Sequence, residues 1–413
     1  MANYDQVDVF VGLDVGKGEH HAVALDRTGK KLYDRALPND ERRLRAVLTD
    51  LQKHGIVLLI VDQPATIGAL PIAVAQAAGA LVGYLPGLAM RRIADLHPGE
   101  AKTDARDAAI IAETARTMPH TLRSIQATDE QVAELAMLCG FDDDLAAQIT
   151  QVGNRVRGLL TQIHPALERA IGPRLDHPAI LDLLQRWPSP AQLRAAGEKR
   201  IATRMLKLAP RKGRDWAYEI TTALDQQSVV VTGTNAAALV IPRLAAQLAT
   251  LRKQRDDVAA EVERLVDAHP LQPVLTSMPG VGVRTAARLL TEVAAQFKTL
   301  QGALRGIASG MPVENSFLAA YAGLAPVTRR SGSSIRGEYS SRRGNKVLKN
   351  AMFLSAFAAL RDPDSRAYYD RKITQGKRHN QALLALARRR SDVLYAMLRD
   401  GTLYLAPAAR LAA

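Results

Sequence analysis

The chain has 413 residues, with 55 lysines and arginines against 41 acids and a formal net charge of +14. That length suits roughly two or three domains with cores of their own, and the charge favours a polyanionic partner, most often nucleic acid. A single cysteine, Cys139, excludes an internal disulfide and a cysteine-based zinc site; no signal-peptide pattern or apolar run of roughly 20 residues is present, so a reducing cytoplasm is expected.

Residues 1–127 read as α/β. Val9–Leu13 is a short apolar run that ends at Asp14 and turns at Gly16 and Gly18. His20–Leu25 and Lys30–Leu37 continue as strands joined by tight turns, which predicts an antiparallel meander. Glu41–His54 has the spacing of an amphipathic helix. Ile56–Val61 is wholly apolar, as a central buried strand is, and ends at Asp62. Ala69–Ala78 reads as helix, Leu81–Leu85 as strand, and helix follows from about Gly87. In KTDARDA, Asp104 and Asp107 stand three apart, on one face of a helix. This is the order of a ribonuclease H-like sheet, where polynucleotidyl transferases carry metal-binding carboxylates. Four convergent acids repel one another, and Mg²⁺ would relieve that repulsion and serve phosphodiester chemistry. The plainer reading is two ordinary strand-end acids and two solvated helix acids. An actin-like kinase would need a second strand–turn repeat, and none follows.

Residues 128–268 read as a helical region. Leu145, Ile149, Val152, Val156, Leu159 and Ile163 recur at spacings of three and four, as do Leu244, Leu248 and Leu251, with Val258, Val262 and Leu265 continuing after Arg255 takes one core position. Both are seams of a coiled-coil or helical hairpin, expected as a spacer that also self-associates. The intervening helical stretch, with Trp187 and Trp216, is expected to pack on it.

Residues 269–413 hold two features that point to nucleic acid. In LTSMPGVGVRTAARLL, Gly280 and Gly282 precede a helix start, the pattern of a helix-hairpin-helix motif that offers backbone N–H groups to phosphate. A plain turn between helices reads the same way. The stretch Leu324–Asn350 holds five serines, Tyr339, five arginines, two lysines and one acid, Glu338, and is broken by Gly332, Gly337 and Gly344. Arginines clamp phosphates, and a hydroxyl among them either binds phosphate or attacks it. Val347–Leu360 reads as an apolar helix, and the residues from Gly376 on as a basic pair of helices.

Taken in order, GLDVGK around Asp14, VDQPA around Asp62, KTDARDA, the heptad hairpin, PGVG, GLAPVTRRSG and RRGNKVLKNA make a chain that resembles the DEDD-type insertion-sequence transposases, the RNA-guided bridge recombinases. The resemblance covers nearly the whole length. It implies a RuvC-like domain over 1–127, a coiled-coil region over 128–268 and a serine-bearing transposase domain over 269–413. It implies that Asp14, Asp62, Asp104 and Asp107 hold Mg²⁺, with Asp62 standing where the family usually has glutamate. It places the nucleophile, a serine just before a glycine, on Ser331; Arg329, Arg330 and Arg336, and further Arg342 and Arg343, are the candidate DNA-phosphate contacts in the same basic stretch. It also implies a structured noncoding bridge RNA, a tetramer that builds the site from different protomers, DNA ends and a target as substrates, and a place at the prokaryotic nucleoid. A metal-only nuclease or junction resolvase and a non-enzymatic DNA-binding scaffold remain the alternatives.

Overall fold

In the computed structural model, which describes residues 6–64, 66–96, 103–124, 130–293, 317–331, 334–341 and 343–406, the apolar run Val9–Asp14 is strand β1. Glu19–Asp26 (β2) and Lys31–Pro38 (β3) pair antiparallel in succession, the expected meander. Val57–Val61 (β4) lies parallel to β1 on its other side, and Leu81–Tyr84 (β5) lies parallel to β4. A two-residue strand, Arg123–Ser124 (β6), closes that edge antiparallel. The sheet order is β3-β2-β1-β4-β5-β6, mixed in direction and consistent with a RuvC-like domain. Helices α1 (Glu41–Leu51), α2 (Ala69–Ala77), α3 (Gly87–Ala94) and α4 (Asp104–Thr117) cover it.

Strand alternation gives the sheet two buried faces. Val9, Val11 and Leu13 join Val57, Leu59 and Val61 in a core with Leu44 and Leu48 of α1 and Ile72 of α2. Phe10, Leu58 and Ile60 turn the other way and pack with Ile110 and Ile111 of α4. Every residue of β4 is buried, which is why its run carries no polar position.

The described residues fall into two compact units, one within 1–130 and 292–314 and one within 131–291 and 315–413. The second unit is helical apart from one pair of strands. Glu130–Ile163 (α5) and Thr234–Asp267 (α10) are 34 residues each. Between them lie α6 (Pro165–Ile171), α7 (Pro178–Arg186), α8 (Pro190–Leu206) and α9 (Gly213–Asp225). Leu145, Val152, Val156, Leu160 and Ile163 of α5 and Leu244, Leu248 and Leu251 of α10 share one core with these helices, and Trp187 and Trp216 pack against it. Leu159 is only partly buried; Leu160 takes the core position that sequence spacing assigns to its neighbour. Arg255 reaches from α10 to grip Asp142 of α5 with Nε at 2.8 Å and Nη2 at 3.3 Å.

The chain continues through α11 (Gln272–Thr276), a helix over 283–293 (α12), α13 (Phe317–Tyr321), strands β7 (Pro326–Ser331) and β8 (Ser334–Ser340), and helices α14 (Lys346–Ala358), α15 (Pro363–Thr374) and α16 (His379–Asp400). The glycine-broken serine stretch thus contains two paired strands. The basic pair of helices read beyond Gly376 is one 22-residue helix, α16. Its Arg390 is 4 % exposed and donates to Ser355 Oγ on α14 at 2.7 and 3.2 Å, and to the carbonyl of Pro279. Burial pushes that guanidinium down to about 10, so it still holds its charge at neutral pH.

The two glycines of PGVG do different work. Gly280 has φ +77°, and a Cβ there would stand 2.5 Å from the Ser355 carbonyl oxygen and 2.6 Å from Ala359 N. Gly282 faces open space, and its carbonyl accepts from Ala286 N at 2.8 Å at the start of α12. Gly280→Ala is expected to cost about 2–5 kcal/mol, the sum of left-handed backbone strain and overpacking. Gly282→Ala, which meets no neighbour, is expected to cost only the N-cap difference between glycine and alanine, about 0.5–1 kcal/mol. Equal destabilisation of both variants would refute this division. No helix among the described residues is long and apolar enough to cross a membrane.

Candidate active site

The acids are placed by β1, β4 and α4. Phe10 pairs with Leu58 and Gly12 with Ile60, in parallel register, and Leu13 with Val61. Asp14 and Asp62 are the next residues in that register. Each is two beyond an inward-facing residue of its strand, so alternation directs both toward the face that α4 covers. At Gly12 the helix touches the strand backbone: a Cβ would stand 2.2 Å from Ala108 O and 2.4 Å from Ala112 N. Asp104 and Asp107 form the first turn of α4, just before this contact. Thr103 caps the helix, its Oγ1 accepting from Arg106 N at 3.2 Å. Carboxylates in a first helical turn are favoured by the exposed N–H groups, so Asp104 and Asp107 are compatible with the fold even without a ligand.

Asp62 is the strained member of this set. Burial pushes its carboxyl up from the usual range. Bonds from its own backbone, from Gln63 and from the Val15 backbone pull it back, and the charge of Asp107 pushes it up again. Oδ1 is buried with no hydrogen-bond partner. The turn after β1 is fixed by His20, whose Nδ1 accepts from Gly16 N at 3.1 Å. Asp62 thus lies within electrostatic reach of Asp107 and hydrogen-bonds the residue after Asp14. The acids do not stand as a closed ligand set: among the described residues no group of three or more His, Cys, Asp or Glu is close enough to hold a metal ion. The donor chemistry nonetheless fits a hard divalent cation, since all four are carboxylates and a buried oxygen with no donor beside a second negative charge is what such an ion would satisfy.

Sequence reading missed Gly12. A glycine inside an otherwise apolar strand signals close backbone approach, and here α4 is the element that approaches. Gly12→Ala is expected to lift α4 off β1, costing about 1–3 kcal/mol and about 100-fold in any cleavage that needs the acids together. Urea denaturation and a plasmid-nicking assay check this, and a stable, fully active variant would exclude the contact as a positioning device.

Ser331 belongs to the other unit. It is the last residue of β7 and pairs with Ser334 of β8; Gly332 and Ser333 between them lie outside the described residues. Arg330 pairs with Ile335, and the register shifts between Thr328 and Arg330, so Arg329 sits at a bulge. Arg336 lies on β8, Arg343 is exposed at its end, and Arg342 lies outside the described residues. The base of the strand pair is locked. A Cβ at Gly323 would stand 2.0 Å from Arg343 O, and one at Gly344 2.5 Å from Gly323 N. Lys349 Nζ donates to the carbonyls of Gly323 at 3.1 Å and Ser341 at 3.2 Å. Asn345 caps α14, accepting from Leu348 N at 2.9 Å, and its Nδ2 donates to the Tyr321 hydroxyl at 3.1 Å. Gly344, Asn345 and Lys349 hold the two ends of the strand pair together, a role that sequence reading did not assign them.

The sequence that builds these elements has counterparts in known proteins. A DEDD transposase family model matches residues 11–165, the span of the four acids, and a model of the IS116/IS110/IS902 transposase family matches 312–370, the span of the serine strands. A 43.6 kDa protein of insertion element IS110 from Streptomyces coelicolor is 57% identical over 406 residues, covering 98% of this chain and 97% of the relative. A 42 kDa protein of insertion element IS900 from Mycobacterium paratuberculosis is 37% identical over 96% and 97% of the two chains, and a 44.8 kDa protein of IS116 from Streptomyces clavuligerus is 35% identical over 96% of each. With both family regions matched and relatives aligned end to end, the chain belongs to the IS110 family of insertion-element transposases, enzymes that recombine DNA.

Proposed function

We propose that this transposase cuts and rejoins the ends of its element through a phosphoserine intermediate at Ser331, assisted by Mg²⁺ at Asp14, Asp62, Asp104 and Asp107. The observation that most supports the acidic half is the buried, unpartnered Oδ1 of Asp62 beside Asp107, in register with Asp14. When bound there, Mg²⁺ supplies Lewis-acid stabilisation of charge on phosphate oxygens. The chain's own residues do the rest. Ser331 Oγ attacks phosphorus, one strand P–O bond breaks, and the proton lost from Oγ is matched by the one the leaving oxygen gains. The hydroxyl of the incoming strand then attacks the phosphoserine and frees Ser331. Each step exchanges one phosphate ester for another, so the bond energy of the DNA is conserved. Arg329, Arg330 and Arg336 neutralise the phosphate that the serine attacks, and Arg342 and Arg343 hold the flanking backbone. The turn at Gly282 offers N–H groups to DNA phosphate as a helix-hairpin-helix does; Gly280 serves that turn by packing. A bridge RNA selects donor and target, α5 and α10 act as a coiled-coil hairpin in self-association, and a tetramer brings acids and serine together from different protomers.

A plasmid carrying the element ends, the RNA transcribed beside them and purified protein tests this reading. Joined product is expected with Mg²⁺ and RNA, with loss of both cutting and joining on chelation and restoration by added Mg²⁺. Joining that persists in chelator would remove the metal from the mechanism.

A further inference from the structure

The helices between α5 and α10 take no part in the chemistry above, yet one stretch of them is one-sided in charge. Residues 186–214 hold nine lysines and arginines and a single acid, Glu198. A helical spacer needs solvated charge of both signs; one sign at this density repels itself and attracts polyanions. Within this segment α8 is broken at Gly197, with φ +73° and ψ 159°. Nothing lies within 4 Å of where a Cβ would stand, so the backbone turn requires the glycine and packing does not.

The break lies in a groove of about 520 Å³ lined by Trp187, Lys199, Arg200, Arg204 and Lys207, with Glu198 as the one acid among its lining residues. Asp182 answers only part of this charge. It accepts from Arg204 Nε at 2.7 Å and Nη2 at 2.6 Å and from Arg186 Nε at 3.3 Å, so one carboxylate serves two guanidiniums. Lys199 and Lys207 are exposed and have no ion-pair partner among the described residues. Trp187 is half-buried, packed against the core, and carries the Arg200 guanidinium at 5.9 Å from its ring centroid. An indole bordered by unpaired cations in an open groove is the pairing that stacks a base and holds its phosphates. A duplex presents its base faces only to each other, so the indole has a partner only in an unpaired strand.

We propose that this groove binds a single-stranded nucleic-acid segment, with phosphates on Lys199 and Lys207 and one unstacked base taking the place of the Arg200 guanidinium on the Trp187 ring, Arg200 turning to a phosphate instead. The site is remote in sequence from the acids and from Ser331, and it stands or falls without them.

The test uses the full chain carrying Trp216→Phe, which leaves Trp187 as the one indole of the two. Its fluorescence is titrated with single-stranded RNA and DNA 12-mers and with the matching duplex, so binding is read at the groove and not elsewhere on the protein. Saturable quenching by a single strand is expected, and the RNA and DNA arms identify the polymer. Lys199→Gln with Lys207→Gln is expected to weaken the quenching titration about 10-fold at low salt and to flatten its salt dependence by about 1.4, roughly 0.7 for each single-strand phosphate that the variant no longer neutralises. Both positions are exposed, and an unchanged melting temperature confirms the fold of that variant. Trp187→Leu keeps an apolar anchor on the core and is expected to weaken photocrosslinking of a single strand to residues 186–214 about 10-fold. No quenching at saturating oligonucleotide, equal quenching by the duplex, or wild-type affinity and salt slope in the double lysine variant would overturn the proposal.

Discussion

Asp62→Asn is expected to lower DNA cutting by about 1,000-fold or more while raising the melting temperature by about 3 °C. Under the proposed mechanism the first effect follows from removing a charged ligand of the metal, which would contribute several kcal/mol to the transition state, at 1.36 kcal/mol per factor of ten. The second follows from burial. Asp62 Oδ1 has no hydrogen-bond partner, and the carboxylate feels both desolvation and the charge of Asp107. A neutral amide of the same shape relieves both, and about 1 kcal/mol moves a domain of this size by that many degrees. Added Mg²⁺ should stabilise the wild-type chain, since a ligand that binds only the folded state raises its stability, and should leave the variant unchanged. Thermal melts with and without Mg²⁺, alongside a nicking assay, separate these effects. A variant that melts lower, or one that cuts at the wild-type rate, would place Asp62 outside the metal site.

Ser331→Ala is expected to abolish strand joining, by at least about 1,000-fold, and to leave DNA binding within twofold. If Ser331 is the nucleophile proposed above, its loss removes the covalent route entirely, and what survives is only the catalysis supplied by binding and charge stabilisation. The side chain is small and ends a strand, so its truncation leaves the β7–β8 pairing intact. Ser334→Ala, at the position paired with Ser331, is the matched control and should join strands normally. Gel-shift and joining assays on the same preparations check this. Equal activity of wild-type and Ser331→Ala chains would return the serine stretch to a phosphate-binding role.

The first unit was legible because its signals are local and periodic. Apolar runs with β-branched residues gave β1, β4 and β5, and acids after two such runs marked the C-terminal ends of the central strands β1 and β4. Period-two alternation then puts Asp14 and Asp62 on one face without further information. Gly12 was readable in principle, but its meaning depends on which helix covers the strand, and α4 lies about 90 residues later in the chain. The serine stretch hid its strands for a different reason. Arginines and serines give no apolar alternation, and what fixes the pair is backbone contact between Gly323 and Gly344 and the Lys349 ammonium at its base. Heptad spacing marked the stripe on α5 but not which of Leu159 and Leu160 is the deeper, because that depends on the helices α6–α9 packed beside it. Arg390 shows the limit most clearly: a basic helix reads as solvated, and only the fold reveals that Ser355 and the Pro279 carbonyl take its charge inside.

The most direct test of covalent recombination is to trap it on DNA. A suicide substrate, nicked so that the departing strand diffuses away, is incubated with the protein, RNA and Mg²⁺, then digested and mapped by mass spectrometry. The expected product is a nucleotide esterified to Ser331, absent from Ser331→Ala and from Asp62→Asn. An adduct on Tyr339 or on another serine, or metal-dependent cutting with no adduct at all, would contradict the account.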